Sequence, residues 1–452
     1  DAERVVVMMG SGAGAVGETV AALNAAGEKV GLATVRLYRP FPTADVLAAL
    51  PDTVRSVAVL DRTKEPGALG EPLFQDVLTA LAEAGRTDVK VLGGRYGLGS
   101  KEFNPSMAKA VFDELQKPDP KTRFTVGIVD DVTGLSLDVD EEFHTPASGR
   151  SAVFYALGSD GTVGANKSSV KIIGSVPELY AQGYFVYDSK KSGSMTVSHL
   201  RFGPDEIRST YLIENSDLVA CHQFGLLESF DVLETAKEGG TFLLNSPYPA
   251  DEVWEHIPEK TRADIQRLDL RFFVIDAAHI SREVGMAGRI NTVMQPCFFA
   301  LTDIMSTDEA IAAIKKSVVD NYGRRGRLLV EKNHAAVDAA LDGLVEVEVP
   351  SERVEMAPVK VLESVAAATE AEFIERITTT LIAGQGDLLP VSAMPRGGTF
   401  PTGTTAIEKR SLAEEIPIWE PDLCIDCGKC AVVCPHAAIR LKAYTPDVIS
   451  DA

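Results

Sequence analysis

Cys424, Cys427, Cys430 and Cys434 follow the pattern C-x2-C-x2-C-x3-C, with Pro435 directly behind them. Bacterial [4Fe–4S] sites are built on this run: three thiolates two residues apart close around one face of a cubane, and the fourth usually reaches a different cluster. Zinc prefers paired C-x2-C knuckles with a longer spacer between them, so these thiols are expected to be iron–sulfur ligands. The chain is therefore expected to move electrons, or to belong to something that does. Cys221 and Cys297 stand alone in the apolar strings LVACHQF and MQPCFFAL, and both are expected to be buried as small hydrophobes. A two-cluster site needs a second cysteine run, and none follows Cys434; the sequence also begins on Asp1 rather than methionine. It reads as a segment of a longer polypeptide.

Glycine loops suggest a second chemistry. Gly158, Ser159, Asp160, Gly161 and Thr162 open a stretch that follows a strand and runs on to Lys167. Small residues, hydroxyls and free amides at the carboxyl end of a strand make an anion-binding nest, and Lys167, Lys190 and Lys191 could supply charge for phosphate. Gly12-x-Gly14-x-x-Gly17 has the form of a dinucleotide fingerprint. The next strand, however, ends Arg36-Leu37-Tyr38-Arg39 with no acid for a ribose, so a tight strand–helix turn is expected there instead. His199, His222, His279 and His334 fit no metal spacing and are read as structural. Asn291 and Asn333 could be caps or polar contacts, and sequence physics does not choose between them.

Alternating elements must position these groups. RVVVMM, KVGLATVRL, VRSVAVLD and DVKVLGG read as strands, separated by the helical stretches ETVAALNAAG, ADVLAAL and PLFQDVLTALAEAG. That alternation predicts a parallel α/β sheet. A second α/β region is expected from Ser151 to Val349, then a helical piece over 363–384, an irregular linker to about residue 418, and the cysteine run. At 452 residues the chain is long enough for about three domains, and 45% hydrophobic with 24% charged residues is an ordinary globular balance. A net charge of −21 speaks against a nucleic-acid partner. No apolar run is long enough to span a membrane. Few cysteines with an iron–sulfur run imply a reducing compartment, hence the cytoplasm.

Taken together, ALGSDGTVGANK, YDSKKSG, SHLRFGP, GTFLLNSP, INTVMQPCFFAL, LPVSAMP, PTGTTAIEKR and CIDCGKCAVVCPHAAIR closely resemble, in order, the signatures of pyruvate:ferredoxin (flavodoxin) oxidoreductases. The resemblance implies a multidomain α/β enzyme. Residues 1–147 would form a parallel-sheet domain like the transketolase C-terminal domain, and 148–358 a second α/β domain of the gamma type that binds coenzyme A. Residues 359–400 would be a linker domain, and 401–452 the start of an α+β ferredoxin-like [4Fe–4S] domain. It implies coenzyme A contacts at Gly158, Ser159, Asp160, Gly161, Thr162, Lys190, Asn291 and Asn333. Cys424, Cys427 and Cys430 would ligate one cluster and Cys434 another. Thiamine diphosphate with Mg would bind outside this segment, and no residue here is assigned to decarboxylation. The implied reaction converts pyruvate and coenzyme A to acetyl-CoA and CO2 in a homodimer that passes electrons to ferredoxin or flavodoxin. Two alternatives share the motifs: the same build with another 2-oxoacid or an NADP-linked flavin acceptor, and a free-standing coenzyme A-binding or electron-transfer subunit.

Overall fold

The structure is a computed structural model that describes residues 1–146, 149–158, 160–187, 194–286, 288–354, 369–404, 417–435 and 437–443. It divides into two compact units, 1–410 and 411–452.

The first sheet is built from five short, β-branched strands: β1 (Arg4–Met8), β2 (Val30–Thr34), β3 (Ser56–Asp61), β4 (Lys90–Arg95) and β5 (Arg123–Thr125). All pair in parallel, in the order β2-β1-β3-β4-β5. Each connection carries a helix: α1 (Gly12–Ala25), α2 (Thr43–Ala49), α3 (Pro72–Glu83) and α4 (Pro105–Gln116). The period-2 alternation of the strands sends Val6, Met8, Ala58 and Leu60 to the face covered by α1 and α4. Val5, Val7, Val57 and Val59 go to the face covered by α2 and α3. Both faces are thus dry, which is why these strands read as unbroken apolar runs. Each fully buried valine or leucine contributes roughly 1.5–3 kcal/mol.

The glycine cluster expected to form a turn is instead helix. The turn is made by Gly10 (φ 79°) and Ser11, and α1 already begins at Gly12. The glycines there answer to crowding: a Cβ on Gly12 would lie 2.7 Å from Met8 Cε, and one on Gly14 2.6 Å from the carbonyl oxygen of Arg208.

The second sheet is mixed. Strands β6 (Arg150–Leu157), β7 (Tyr180–Tyr187), β8 (Met195–Gly203), β9 (Ser216–Cys221), β10 (Ala236–Asn245), β11 (Arg271–Ile275) and β12 (Val345–Glu346) lie in the order β12-β11-β10-β9-β6-β8-β7. The parallel core β11-β10-β9-β6 is flanked by antiparallel β8-β7 on one side and β12 on the other. Helix α5 (Thr162–Gly174) follows β6, and α6 (Val253–His256), α7 (Glu259–Arg267) and α8 (Ala277–Glu283) flank β11. Helices α9 (Asn291–Thr302), α10 (Thr307–Tyr322) and α11 (Arg327–Ala340) precede β12. Phe154, Leu200, Phe202, Ala220 and Leu243 of the sheet pack with Ile173 of α5, Phe298 and Phe299 of α9, Ile314 of α10 and Val337 of α11. Cys221 and Cys297 are fully buried, and burial pushes both thiols up to about 12, so they serve as core residues.

Beyond β12, residues 370–382 are helical, with a π turn at Ile374–Thr378, and Phe373, Ile377, Leu389 and Ala393 form a small core of their own. In the second unit the described residues hold a 3-10 turn at Pro421–Leu423 and a short helix at Lys429–Val433.

Candidate functional site

The loop after β6 is folded on its own aspartate. Asp160 accepts from the backbone N–H of Leu157 (2.9 Å, Oδ2) and of Thr162 (2.8 Å, Oδ1), while the Gly158 N–H donates to Ser194 O just before β8 (2.9 Å). Gly161 has φ 89°, a left-handed conformation that releases the chain into α5 without a Cβ penalty. A Cβ there would also sit 2.8 Å from Asn291 Oδ1, so this glycine allows the first residue of α9 to close on the loop. Helix α5 presents its amino end beside the loop, where first-turn N–H groups have no intrahelical acceptor. Ser159 and Lys190 lie outside the described residues. Lys167, read as a charge for phosphate, places its Nζ 5.2 Å from the centre of the Phe185 ring on β7.

Asn291 and Asn333 come together although forty-two positions separate them. Both line a cavity of about 330 Å³ between the start of α9 and the start of α11. Thr292 of α9 donates to Asn333 Oδ1 (3.2 Å), and Asn333 Nδ2 donates to Leu329 O (2.7 Å), which fixes the buried amide. Asn291 Oδ1 is buried without a hydrogen-bond partner. Arg289, Arg325 and Lys332 line the same cavity, and among the described residues no acidic one does. Lys332 donates to Gly285 O (3.0 Å) and Arg325 lies over the Tyr322 ring. In a chain of net charge −21, three cations and two amides around one cavity give it the chemistry that a polyanion would need. The sequence reading missed these cations, although each stands within eight positions of one of the two asparagines.

Two histidines read as structural are buried. Burial, reinforced by Arg201, brings His199 down to about 4, and its Nδ1 accepts from the Ile213 N–H (3.2 Å). Burial likewise lowers His222 to about 4, against the pull of Asp160. The His222 Nδ1 is 2.7 Å from Thr162 Oγ1 at the loop.

In the second unit, left-handed Asp426 and Gly428 fold the chain between successive cysteines, and the Cys434 N–H donates to Cys430 O one helical turn back. The Ala438 N–H donates to Cys434 Sγ (3.2 Å), a contact of the kind that tunes cluster potentials. Cys424, Cys427 and Cys430 are exposed. Among the described residues no three Cys, His, Asp or Glu side chains converge closely enough to hold one metal ion. The fit to a cluster thus rests on the all-thiol donor set and its spacing rather than on assembled geometry.

An α/β scaffold with a cationic ligand cavity, joined to a ferredoxin-type cysteine run, defines a segment of an iron–sulfur oxidoreductase. Residues 2–107 match the model of pyruvate:ferredoxin oxidoreductase core domain II, 151–343 that of pyruvate ferredoxin/flavodoxin oxidoreductase, and 416–439 a 4Fe-4S binding domain. Residues 360–413 match a domain of unknown function. Over 100% of its length the chain is 54% identical to pyruvate-flavodoxin oxidoreductase of Trichormus variabilis. Over the same share it is 52% identical to pyruvate:ferredoxin oxidoreductase of Moorella thermoacetica and 50% identical to probable pyruvate-flavodoxin oxidoreductase of Escherichia coli. The chain belongs to the pyruvate ferredoxin/flavodoxin oxidoreductase family, and it spans 38% to 39% of the length of these relatives.

Proposed function

We propose that this chain is the coenzyme A-binding and first cluster-ligating part of a pyruvate:ferredoxin or flavodoxin oxidoreductase. The overall reaction takes pyruvate and coenzyme A to acetyl-CoA and CO2 and releases two electrons and one proton. When bound, thiamine diphosphate with Mg supplies the electron sink for decarboxylation and [4Fe–4S] clusters the outward path for electrons. The residues of this chain bind and orient. Asp160 keeps the Gly158–Thr162 loop closed on itself and takes the Thr162 N–H, and the positive amino end of α5 favours phosphate beside it. Arg289, Arg325 and Lys332 neutralise the phosphates, and Lys190 adds a charge. Asn291 and Asn333 read polar edges of the ligand. Cys424, Cys427 and Cys430 hold one cluster and Cys434 another. The electron acceptor is ferredoxin or flavodoxin, the assembly a homodimer, the location cytoplasmic. Among the described residues no helix is long and apolar enough to cross a membrane.

The observation that carries this reading is the cavity that unites Asn291 and Asn333 with three cations and, among the described residues, no acid. Calorimetric titration of the chain with coenzyme A tests it. Arg325→Ala or Asn333→Ala should weaken binding about ten-fold, the scale of one lost charge-assisted contact, and pantetheine, which lacks the nucleotide phosphates, should bind feebly. Equal affinity for coenzyme A and pantetheine would sink the phosphate assignment.

A further inference from the structure

We infer that His222 is a positioning residue for the coenzyme A loop, acting through the hydroxyl of Thr162; the inference rests on the coenzyme A reading of that loop. The backbone of His222 is pinned at the carboxyl end of the parallel core. Its N–H donates to Tyr155 O of β6 (2.8 Å), and its carbonyl accepts from Asn245 Nδ2 at the end of β10 (3.0 Å). Asn245 Oδ1 in turn accepts from the Ala277 N–H at the start of α8 (3.0 Å). From this anchor the imidazole reaches Thr162 Oγ1 at 2.7 Å, both residues being almost wholly buried. Thr162 opens α5, and its N–H is held by Asp160, which also holds Leu157. One chain of hydrogen bonds thus runs from α8 and β10 through His222 to the loop, fixing where α5 begins.

The other ring nitrogen makes this imidazole a costly way to hold the fold. His222 Nε2 is buried and has no hydrogen-bond partner. Whichever nitrogen carries the proton, one polar atom goes unsatisfied, a cost that an apolar side chain would avoid. Burial keeps the ring neutral, so Nδ1 meets a hydroxyl rather than a carboxylate. A side chain kept at a site where it costs stability, with its one productive bond aimed at the ligand loop, is there for the loop.

The test compares wild type, His222→Leu, His222→Asn and Thr162→Val in the full chain by calorimetric titration with coenzyme A and by urea unfolding. His222→Leu should lose about five- to ten-fold in affinity, the scale of one neutral hydrogen bond, and the double variant His222→Leu/Thr162→Val, which strands no buried hydroxyl, should unfold at or above the wild-type midpoint. His222→Asn, whose amide can stand where Nδ1 stood, should recover most of the affinity. The double variant His222→Leu/Thr162→Val should bind no worse than either single one, because both remove the same bond. Wild-type affinity in His222→Leu, or additive losses in the double variant, overturns the role of His222 and leaves the loop reading intact. A wild-type chain that binds no coenzyme A overturns both. Should His222→Leu fail to fold, Thr162→Val decides: an unchanged affinity there refutes the proposal.

Discussion

Gly161 has little room to change. At φ 89° a Cβ costs about 1–2 kcal/mol in backbone strain alone, and it would also press on Asn291. Gly161→Ala should therefore lose at least about ten-fold in coenzyme A affinity through a shift of α9 against the loop, read by the same titration. His199 sets a pH limit on the fold. Burial lowers its folded value to about 4, below the ordinary value of roughly 6.5 in the unfolded chain. The neutral ring is what the fold accepts, so this contribution is complete above about pH 6.5 and drains away as pH falls toward 4. At most roughly 3 kcal/mol is at stake, and urea midpoints measured from pH 7.5 to 4.5 should fall less steeply in His199→Asn. At this scale the cysteines were legible because their spacing is local. The role of Asn291 and Asn333 came from resemblance, since two asparagines far apart carry no pattern of their own. His222 read as structural because its partner, Thr162, is sixty residues away, and only the fold brings the ring to the loop.

Among the elements, the strands and helices of the first sheet were readable because each carries its own period and stops. The start of α1 was not. The glycines suggested a turn, whereas Gly12 is held small by Met8 and Tyr96 and Gly14 by the approach of segment 208–210 from the second domain. Gly14→Ala should cost about 1–3 kcal/mol in urea unfolding, the range for overpacking a close contact, with the helix content unchanged by circular dichroism. The antiparallel pair β7-β8 was equally hidden, since YAQGYFVY and MTVSHLRFG carry nothing that distinguishes them from parallel strands. Strand order is decided by packing on α5, not by local sequence. In the cysteine segment, reconstitution with iron and sulfide should give a visible charge-transfer band that is lost in Cys424→Ser, Cys427→Ser or Cys430→Ser. Cys434→Ser should keep the band if, as proposed, the fourth ligand of this run serves a different cluster. A band that needs all four thiols would reassign Cys434 to the same cluster.

For the whole molecule, coenzyme A binding is the activity proposed for these residues, and turnover is proposed only for the longer enzyme. In that enzyme Lys190→Ala should raise the apparent KM for coenzyme A about ten-fold while the KM for pyruvate stays put. An unchanged KM for coenzyme A would remove Lys190 from the site. The junction between the two sheets has a further consequence. Thr210 donates to Ser11 O, Ser209 and Tyr211 both donate to Glu18, the Leu212 N–H donates to Glu102, and Asn104 donates to Glu214. Five contacts from two stretches of the first sheet's domain, 11–18 and 102–104, grip one strip of the second, across the notch that Gly14 leaves open. Neither half can melt without uncovering the carboxylates and the notch of the other. The pair should accordingly denature as one cooperative event with a single calorimetric peak, and a protease nick between residues 127 and 146 should leave the two fragments travelling together on a sizing column.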